Sequence, residues 1–280
     1  PFGLLQPIAD AVKLMAKEDV MSSWVDRVVY WFAPLVVFVP SFMIWVTIPV
    51  TRDLVIRNMD MGLFYIIAFS VLSIVGLVAA GWASSNKYAV MGGFRAAAQL
   101  ISYEIPLILA LLGVAMWAQS MNLVEIVHKQ GSVPFALIQP LGLVLFFVAG
   151  LAELGRTPFD IHPAESEVVG GPFVEYSGAH WAVFFLAEYI NTFAIAALTV
   201  LLFLGGWLFP GIPGDVGYLG IVVFLVKTYM VILVIFWIRG TYPRLRIDQL
   251  MSLGWKVLVP MSFVNIVIMS FCMFYGWPDW

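Results

Sequence analysis

Residues 181–204 read WAVFFLAEYINTFAIAALTVLLFL, a run whose only charged residue is Glu188. A helix needs about 20 apolar residues to cross a hydrocarbon core of about 30 Å, and no open strand or loop pairs its backbone there. The run is long enough to span. With a rise of about 1.5 Å per residue, Glu188 sits roughly 10 Å into the span. A charge near the bilayer centre costs a few kcal/mol or more, so a carboxyl retained at that depth faces a polar interior and is functional by default.

Six further stretches share this character, giving seven spans: Val28–Val50, Met61–Trp82, Ala96–Trp117, Phe135–Leu154, Trp181–Leu204, Tyr218–Ile238 and Val257–Gly276. The composition agrees. Hydrophobic residues make up 62% of the chain and charged ones 11%, with mean hydropathy +0.97, whereas a soluble domain carries roughly 25% charge. The expected fold class is all-α, a polytopic transmembrane helix bundle. A net charge of -3 without a basic stripe excludes a nucleic-acid footprint. Cys272 is the only cysteine, so the chain has no thiolate set for an iron-sulfur cluster or a disulfide framework.

Seven crossings put the N-terminal segment and the loops after the second, fourth and sixth spans on one face. That face carries ten of the 14 basic residues: Lys13, Lys17, Arg27, Lys87, Arg95, Arg156, Arg239, Arg244, Arg246 and Lys256. The opposite face has Arg52, Arg57 and Lys129, and Lys227 lies inside a span. The positive-inside rule makes the ten-residue face cytoplasmic.

Before the first span, Phe2, Leu5, Ile8, Ala9, Val12 and Met15 recur near helical period against Gln6, Asp10, Lys13 and Lys17. Residues 1–19 are expected to form an amphipathic helix along the membrane surface, the alternative being a connector packed on the bundle. Pro7 either kinks this helix or marks its start. The sequence opens on Pro1 with no initiator Met and no cleavable leader, so further upstream sequence is expected.

The ionisable residues that lipid would penalise are Glu104, Glu153, Glu188 and Lys227. Glu104 stands two residues before Pro106, whose ring disrupts the helical bond to the Ser102 carbonyl and leaves an acceptor free. Burial raises carboxyl pKa values, which suits proton exchange near neutral pH, unless some of these acids are locked in ion pairs, with Lys227 an available partner. The longest polar connection, 155–180, holds Arg156, Asp160, Glu165, Glu167 and Glu175 among prolines and glycines. Phe159, Ile161, Val168 and Val169 are interleaved with these acids, which predicts an ordered loop folded into a cavity rather than a solvated tail. No phosphate-binding loop, dinucleotide fingerprint or metal-ligand spacing is present, and His128, His162 and His180 are scattered.

At this loop a family resemblance emerges. Glu153-Leu-Gly-Arg156-Thr-Pro-Phe-Asp160, then Ala164-Glu165-Ser-Glu167-Val-Val-Gly170-Gly171, then Glu175-Tyr176-Ser177 resembles the segment between the fifth and sixth helices of the H subunit family of complex I, the chain-1 homologue of mitochondria. Collinear matches run the length of the chain: Pro1-Phe-Gly-Leu-Leu-Gln6, Phe94-Arg95, Ser102-Tyr103-Glu104, Leu186-Ala-Glu188-Tyr189, Leu204-Gly-Gly-Trp207 and Arg246-Ile-Asp248-Gln249.

The resemblance implies eight membrane helices, the first preceding Pro1. It implies a membrane subunit of a proton-translocating NADH-quinone oxidoreductase in a prokaryotic plasma membrane, with quinone as substrate. Flavin and iron-sulfur clusters are then expected in partner subunits, and the partners include the terminal iron-sulfur subunit, a second peripheral subunit completing the quinone chamber, and small membrane subunits. Glu104, Glu153, Glu165, Glu167 and Glu188 match the family's acidic proton path. Arg95, Arg156, Phe159 and Asp160 match positions at or beside the quinone chamber, and Phe2, Gln6, Asp10 and Lys13 match the helix framing its entrance. One departure stands out: His162-Pro163 replaces the family's usual Pro-Glu, so a loop carboxylate is absent, and the histidine either carries protons in its place or stiffens the loop. Two other readings are the membrane anchor of an energy-converting hydrogenase and a stand-alone ion transporter, though no pair of broken helices in matching halves suggests the latter.

Overall fold

A computed structural model describes residues 3, 5–131, 133–161, 164–208 and 217–275. Among these residues the chain is helical without strands, and six helices are long and apolar enough to cross a membrane, with a shorter seventh at Pro140–Glu153. The chain is therefore an integral membrane protein of the polytopic helical kind.

Helix α1 (Gln6–Ala16) begins with Pro7 in its first turn, so the proline marks a start rather than a kink. Leu5, Ile8, Val12 and Met15 stand exposed on one side, while Gln6, Asp10 and Lys13 bond to one another on the other. The first span, α2 (Arg27–Met43), is capped by Asp26, whose carboxylate accepts from Val28 N at 3.1 Å and Val29 N at 3.4 Å. It runs on through a 3₁₀ turn, Ile44–Val46. The next two spans are α3 (Gly62–Ala83) and α4 (Lys87–Ala118). At 32 residues α4 is about 48 Å long, well beyond the hydrocarbon core. It starts at Lys87 where the hydropathy predicts Ala96, because Lys87 and Arg95 interrupt the apolar pattern without interrupting the helix. This extension carries the residues that hold the loop.

The short helices α5 (Leu123–Lys129) and α6 (Phe135–Ile138) precede α7 (Pro140–Glu153). The single span expected over Phe135–Leu154 is thus broken. Gln139 adopts non-helical φ -127° and ψ 61°, and Pro140 restarts the chain as a helix about 21 Å long. After the loop with its one-turn helix α8 (Glu165–Val168) come α9 (Gly178–Phe203) and α10 (Gly217–Thr241). Helix α11 (Ile247–Leu253) passes through a π turn, Gly254–Leu258, into α12 (Val259–Phe274), so the last crossing starts ten residues before the expected Val257. Packing on α4 explains this early start. Tyr103 donates to the Leu250 carbonyl at 2.9 Å and Trp255 Nε1 to Ser102 Oγ at 3.1 Å.

Helix α4 is the hub, packing on α3, α7 and α12, while α9 packs on α2 and α10. Two apolar clusters result: a large one around Phe146, Leu201, Leu202 and Phe203, and a smaller one around Tyr30, Val37, Tyr176 and Phe184.

Lys227, which the sequence left open as a partner for a buried acid, is engaged elsewhere. Its ammonium donates to the carbonyls of Leu204 at 2.7 Å, Gly206 at 3.0 Å and Leu208 at 2.6 Å, closing the C-terminal end of α9. A lysine has three donors and a helix end leaves carbonyls unpaired, so the match is complete. Lys227→Met leaves those three half-buried carbonyls without their donor. A loss of about 1–3 kcal/mol is expected, read as a lower midpoint of thermal inactivation of the assembled enzyme.

Candidate functional site

A cavity of about 470 Å³ lies between the two apolar clusters, walled by residues of α2, α3, α4, α7, α9 and the 155–177 loop. Its apolar walls include Val37, Ile44, Ile66, Phe146, Phe184 and Ile195. Its polar groups include Glu153, Arg156, Asp160, Glu188, Asn191, Arg239 and Arg244, with Ser70 and Ser73 from α3. Four of the site residues expected from the sequence therefore share one wall: Glu153, Arg156, Asp160 and Glu188.

At the centre, Arg156 Nε meets Glu188 Oε1 at 3.0 Å, and the guanidinium lies 4.8 Å from the Tyr189 ring centroid. Arg156 is 8% exposed, and its Nη2 has no hydrogen-bond partner among the described residues. An arginine has five donors and cannot shed its charge, so an unused N–H on a cavity wall is a vacant binding position for an acceptor. Asn191, one turn along α9 from Glu188, likewise leaves a buried Oδ1 unpaired.

Asp160 pairs with Arg244 Nη2 at 3.1 Å. Burial raises the Asp160 carboxyl above its ordinary value, while Arg244, Arg156 and Arg239 pull against that rise. Removing Arg244 removes one of the opposing charges. Arg244→Ala is therefore expected to raise the Asp160 pKa further, measurable as an upward shift in the titration of its carboxyl infrared band across a pH series in membranes.

Glu104 lies off the cavity wall behind Ser70, whose hydroxyl is 3.4 Å from Glu104 Oε1 and donates to the Ile67 carbonyl at 2.9 Å. The charges of Glu104 and Glu153 act on each other, as do those of Glu188, Arg156, Asp160 and Arg239. The acids thus form two electrically linked groups meeting at one cavity.

The other expected residues sit elsewhere. Glu167 forms an ion pair with Arg95 on the α4 extension, and Glu175 Oε1 accepts from Asn86 Nδ2 at 3.0 Å, so these acids anchor the loop. Phe159 is buried against Tyr103, with ring centroids 5.5 Å apart, and its carbonyl accepts from Gln99 Nε2 at 2.8 Å. Ile161 and Val168 are buried as expected, whereas Val169 is 55% exposed with φ +63°, where the chain turns at the end of α8. Gln6, Asp10 and Lys13 do not line the cavity. Phe2, His162 and Pro163 lie outside the described residues, as does the side chain of Glu165.

Hydropathy and motif matching pass over Ser70, Asn191, Arg239, Arg244 and Gln99. In the sequence the two arginines read only as charges of one face. Gln99 looks like an interruption of a span, yet its amide donates to Ala152 O at 2.7 Å and Phe159 O at 2.8 Å, fixing the loop to the end of α7.

The loop also needs Gly92. A Cβ there would lie 2.5 Å from Gly171 Cα and 2.8 Å from Gly171 C, so helix and loop touch backbone to backbone. Gly92→Ala is expected to push the loop off α4 at a cost of about 1–3 kcal/mol, seen as faster proteolysis within 155–177.

A family model described as NADH dehydrogenase matches residues 1–270. The chain is similar to the H subunit of NADH-quinone oxidoreductase from Geobacillus kaustophilus, 53% identical over 95% of this chain and 80% of the relative. The H subunit from Geobacillus thermodenitrificans is 52% identical over the same shares. That of Dehalococcoides mccartyi is 46% identical over 97% of this chain and 75% of the relative.

Proposed function

The chain belongs to the H subunit family of NADH-quinone oxidoreductase, a membrane component of the multi-subunit complex I, and from that membership we propose that its cavity forms part of the quinone chamber. The observation that carries the reading is the Arg156–Glu188 pair on the cavity wall, with the unused Arg156 Nη2 beside it. A quinone offers carbonyl acceptors on one end and an apolar tail on the other. The cavity offers donors and acids on one part of its wall and aliphatic and aromatic side chains on the rest.

Reducing a quinone to a quinol takes two electrons and two protons. In this proposal the electrons come from an iron-sulfur cluster in a peripheral partner subunit, which itself receives them from a flavin-bearing one. This chain supplies shape and electrostatics. Negative charge arriving on the quinone draws on Arg156, weakens its hold on Glu188, and changes which of Asp160, Glu188, Glu153 and Glu104 holds a proton. That redistribution is the step that couples electron transfer to proton translocation, in a prokaryotic plasma membrane with the 155–177 loop facing the cytoplasm. Residues 1–19, with α1 lying along the membrane surface, frame the entrance, and Glu165 and Glu167 belong to the loop that responds. Arg95 and Phe159 act by holding that loop.

A quinone carrying a photoreactive group tests this reading. Irradiation of the intact complex is expected to label the cavity-lining segment of α9 that begins at Trp181, in competition with unmodified quinone. Labelling confined to other subunits would remove the cavity from the quinone route.

A further inference from the structure

We propose that Asp19 and His180 are positioning residues, forming a clasp with Ser177 that fixes the entry helix α1 to the quinone-facing wall of α9. The inference rests on the chamber reading above. Asp19 Oδ2 lies 2.5 Å from His180 Nδ1, a close approach of acid and imidazole that lacks hydrogen-bond geometry. The other carboxylate oxygen, Oδ1, accepts from Ser177 Oγ at 3.1 Å, and Ser177 Oγ accepts from Val20 N at 3.1 Å. Two residues at the start of α9 thus grip the two-residue stretch behind α1. The His180 ring is 11% exposed at its side chain, standing edge-on to Trp31 at 4.3 Å and tilted against Tyr30 at 5.3 Å.

Two other observations converge on the same seam. Gly178 has φ +52°, and a Cβ built on it would lie 3.1 Å from the Lys17 carbonyl, so connector and helix start are pressed together where only glycine fits both the turn and the space. Pro34 in α2 has no N–H to give the Tyr30 carbonyl. The Tyr176 hydroxyl takes that place at 3.4 Å, while Tyr30 OH donates to the Glu175 carbonyl at 3.2 Å and the two tyrosine rings stack 4.3 Å apart. The end of the loop is thereby locked to α2, and the clasp adds α1 to the same rigid block.

The clasp bears on quinone entry through its neighbours on α9. Trp181, Phe184 and Phe185 line the cavity directly after His180. Movement of α1 relative to α9 therefore changes the gap between an exposed apolar helix and the aromatic wall. A quinone with a long isoprenoid tail must thread this gap, while a short-tailed analogue occupies it briefly. Loosening the clasp is a fault in entry, separate from the proton chemistry at Glu188.

The test uses the intact complex in membranes, with Asp19→Ala, His180→Ala and the milder Ser177→Ala. Each is expected to raise KM for a long-tailed quinone roughly three- to tenfold, with kcat at saturating quinone and electron transfer from NADH to ferricyanide unchanged. The short-tailed analogue should show little change in KM. The Asp19→Ala/His180→Ala pair should raise KM by less than the product of the two single effects, since both remove the same carboxylate–imidazole contact. The exchange Asp19→His/His180→Asp should restore part of the loss. Unchanged KM in Ser177→Ala together with His180→Ala, or a fall in kcat at constant KM, would overturn the proposal. Leu100→Trp, which fills the cavity itself, separates the two readings. If it raises KM while the clasp variants do not, the clasp alone fails, and if it too leaves KM unaltered, the chamber reading fails with it.

Discussion

Arg156→Met is expected to lower quinone reductase and proton pumping together by about one to two orders of magnitude, with NADH-ferricyanide activity intact. The guanidinium has three duties: it pairs with Glu188 at 3.0 Å, lies over the Tyr189 ring, and presents the unused Nη2 to the cavity. Methionine keeps the volume and abandons all three. A hydrogen bond from a charged donor is worth about 1.5–3 kcal/mol, and about 1.4 kcal/mol in a barrier is tenfold in rate, so loss of the Nη2 contact to the reacting quinone accounts for about one to two orders. Arg156→Lys should recover part of the activity, since a point charge answers Glu188 but offers no planar fork to a second acceptor and no stack on Tyr189. Equal activity in the lysine and methionine variants would mean that charge at this position is irrelevant.

Glu188→Gln is the second large effect, and its logic differs. The amide matches the carboxylate in shape and still accepts from Arg156, so packing survives and the complex assembles. It neither takes nor releases a proton. Quinone reductase and pumping are expected to fall together, about tenfold or more, because a proton-dependent reduction slows when its relay is broken. Arg156→Met/Glu188→Gln should be less impaired than the product of the two single effects, as the double variant leaves neither charge stranded. Full turnover in Glu188→Gln would remove this residue from the mechanism.

Much of this site is legible in the sequence because lipid is an unforgiving solvent. A glutamate within 181–204 must face a polar interior or an ion-pair partner, and so must the carboxylates near Pro106 and at the end of the fourth span. The positions of Glu153, Arg156, Asp160 and Glu188 along one wall accord with the motif that joins them in sequence. Hydropathy reads less well where a helix leaves the membrane or hides a polar residue. It starts α4 only after Arg95 and the last crossing only after Ile247, because both helices continue on tertiary contacts rather than on apolar periodicity. It also runs through Gln139-Pro140, where the backbone breaks.

Partner assignments are harder still. Lys227 and Glu188 are both isolated charges in apolar runs, and pairing them is the obvious economy. The fold instead gives Lys227 three carbonyls of the α9 end and gives Glu188 an arginine from the loop. Carbonyl ends of helices carry no mark in the sequence, so such a cap emerges only in three dimensions. His180 is similar. In the sequence it is one of three scattered histidines, and only the fold places Asp19 beside it across the start of α9.

In the mechanism proposed, the redox state of a quinone in this cavity alters the protonation of the acids around Arg156. Infrared difference spectroscopy on the intact complex, oxidised minus quinone-reduced, measures this directly through carboxyl C=O bands. A band that changes on reduction is expected in the unaltered enzyme, shifted in Arg156→Lys and missing in Glu188→Gln. Difference spectra identical in all three, with quinone fully reduced in each, would contradict the account.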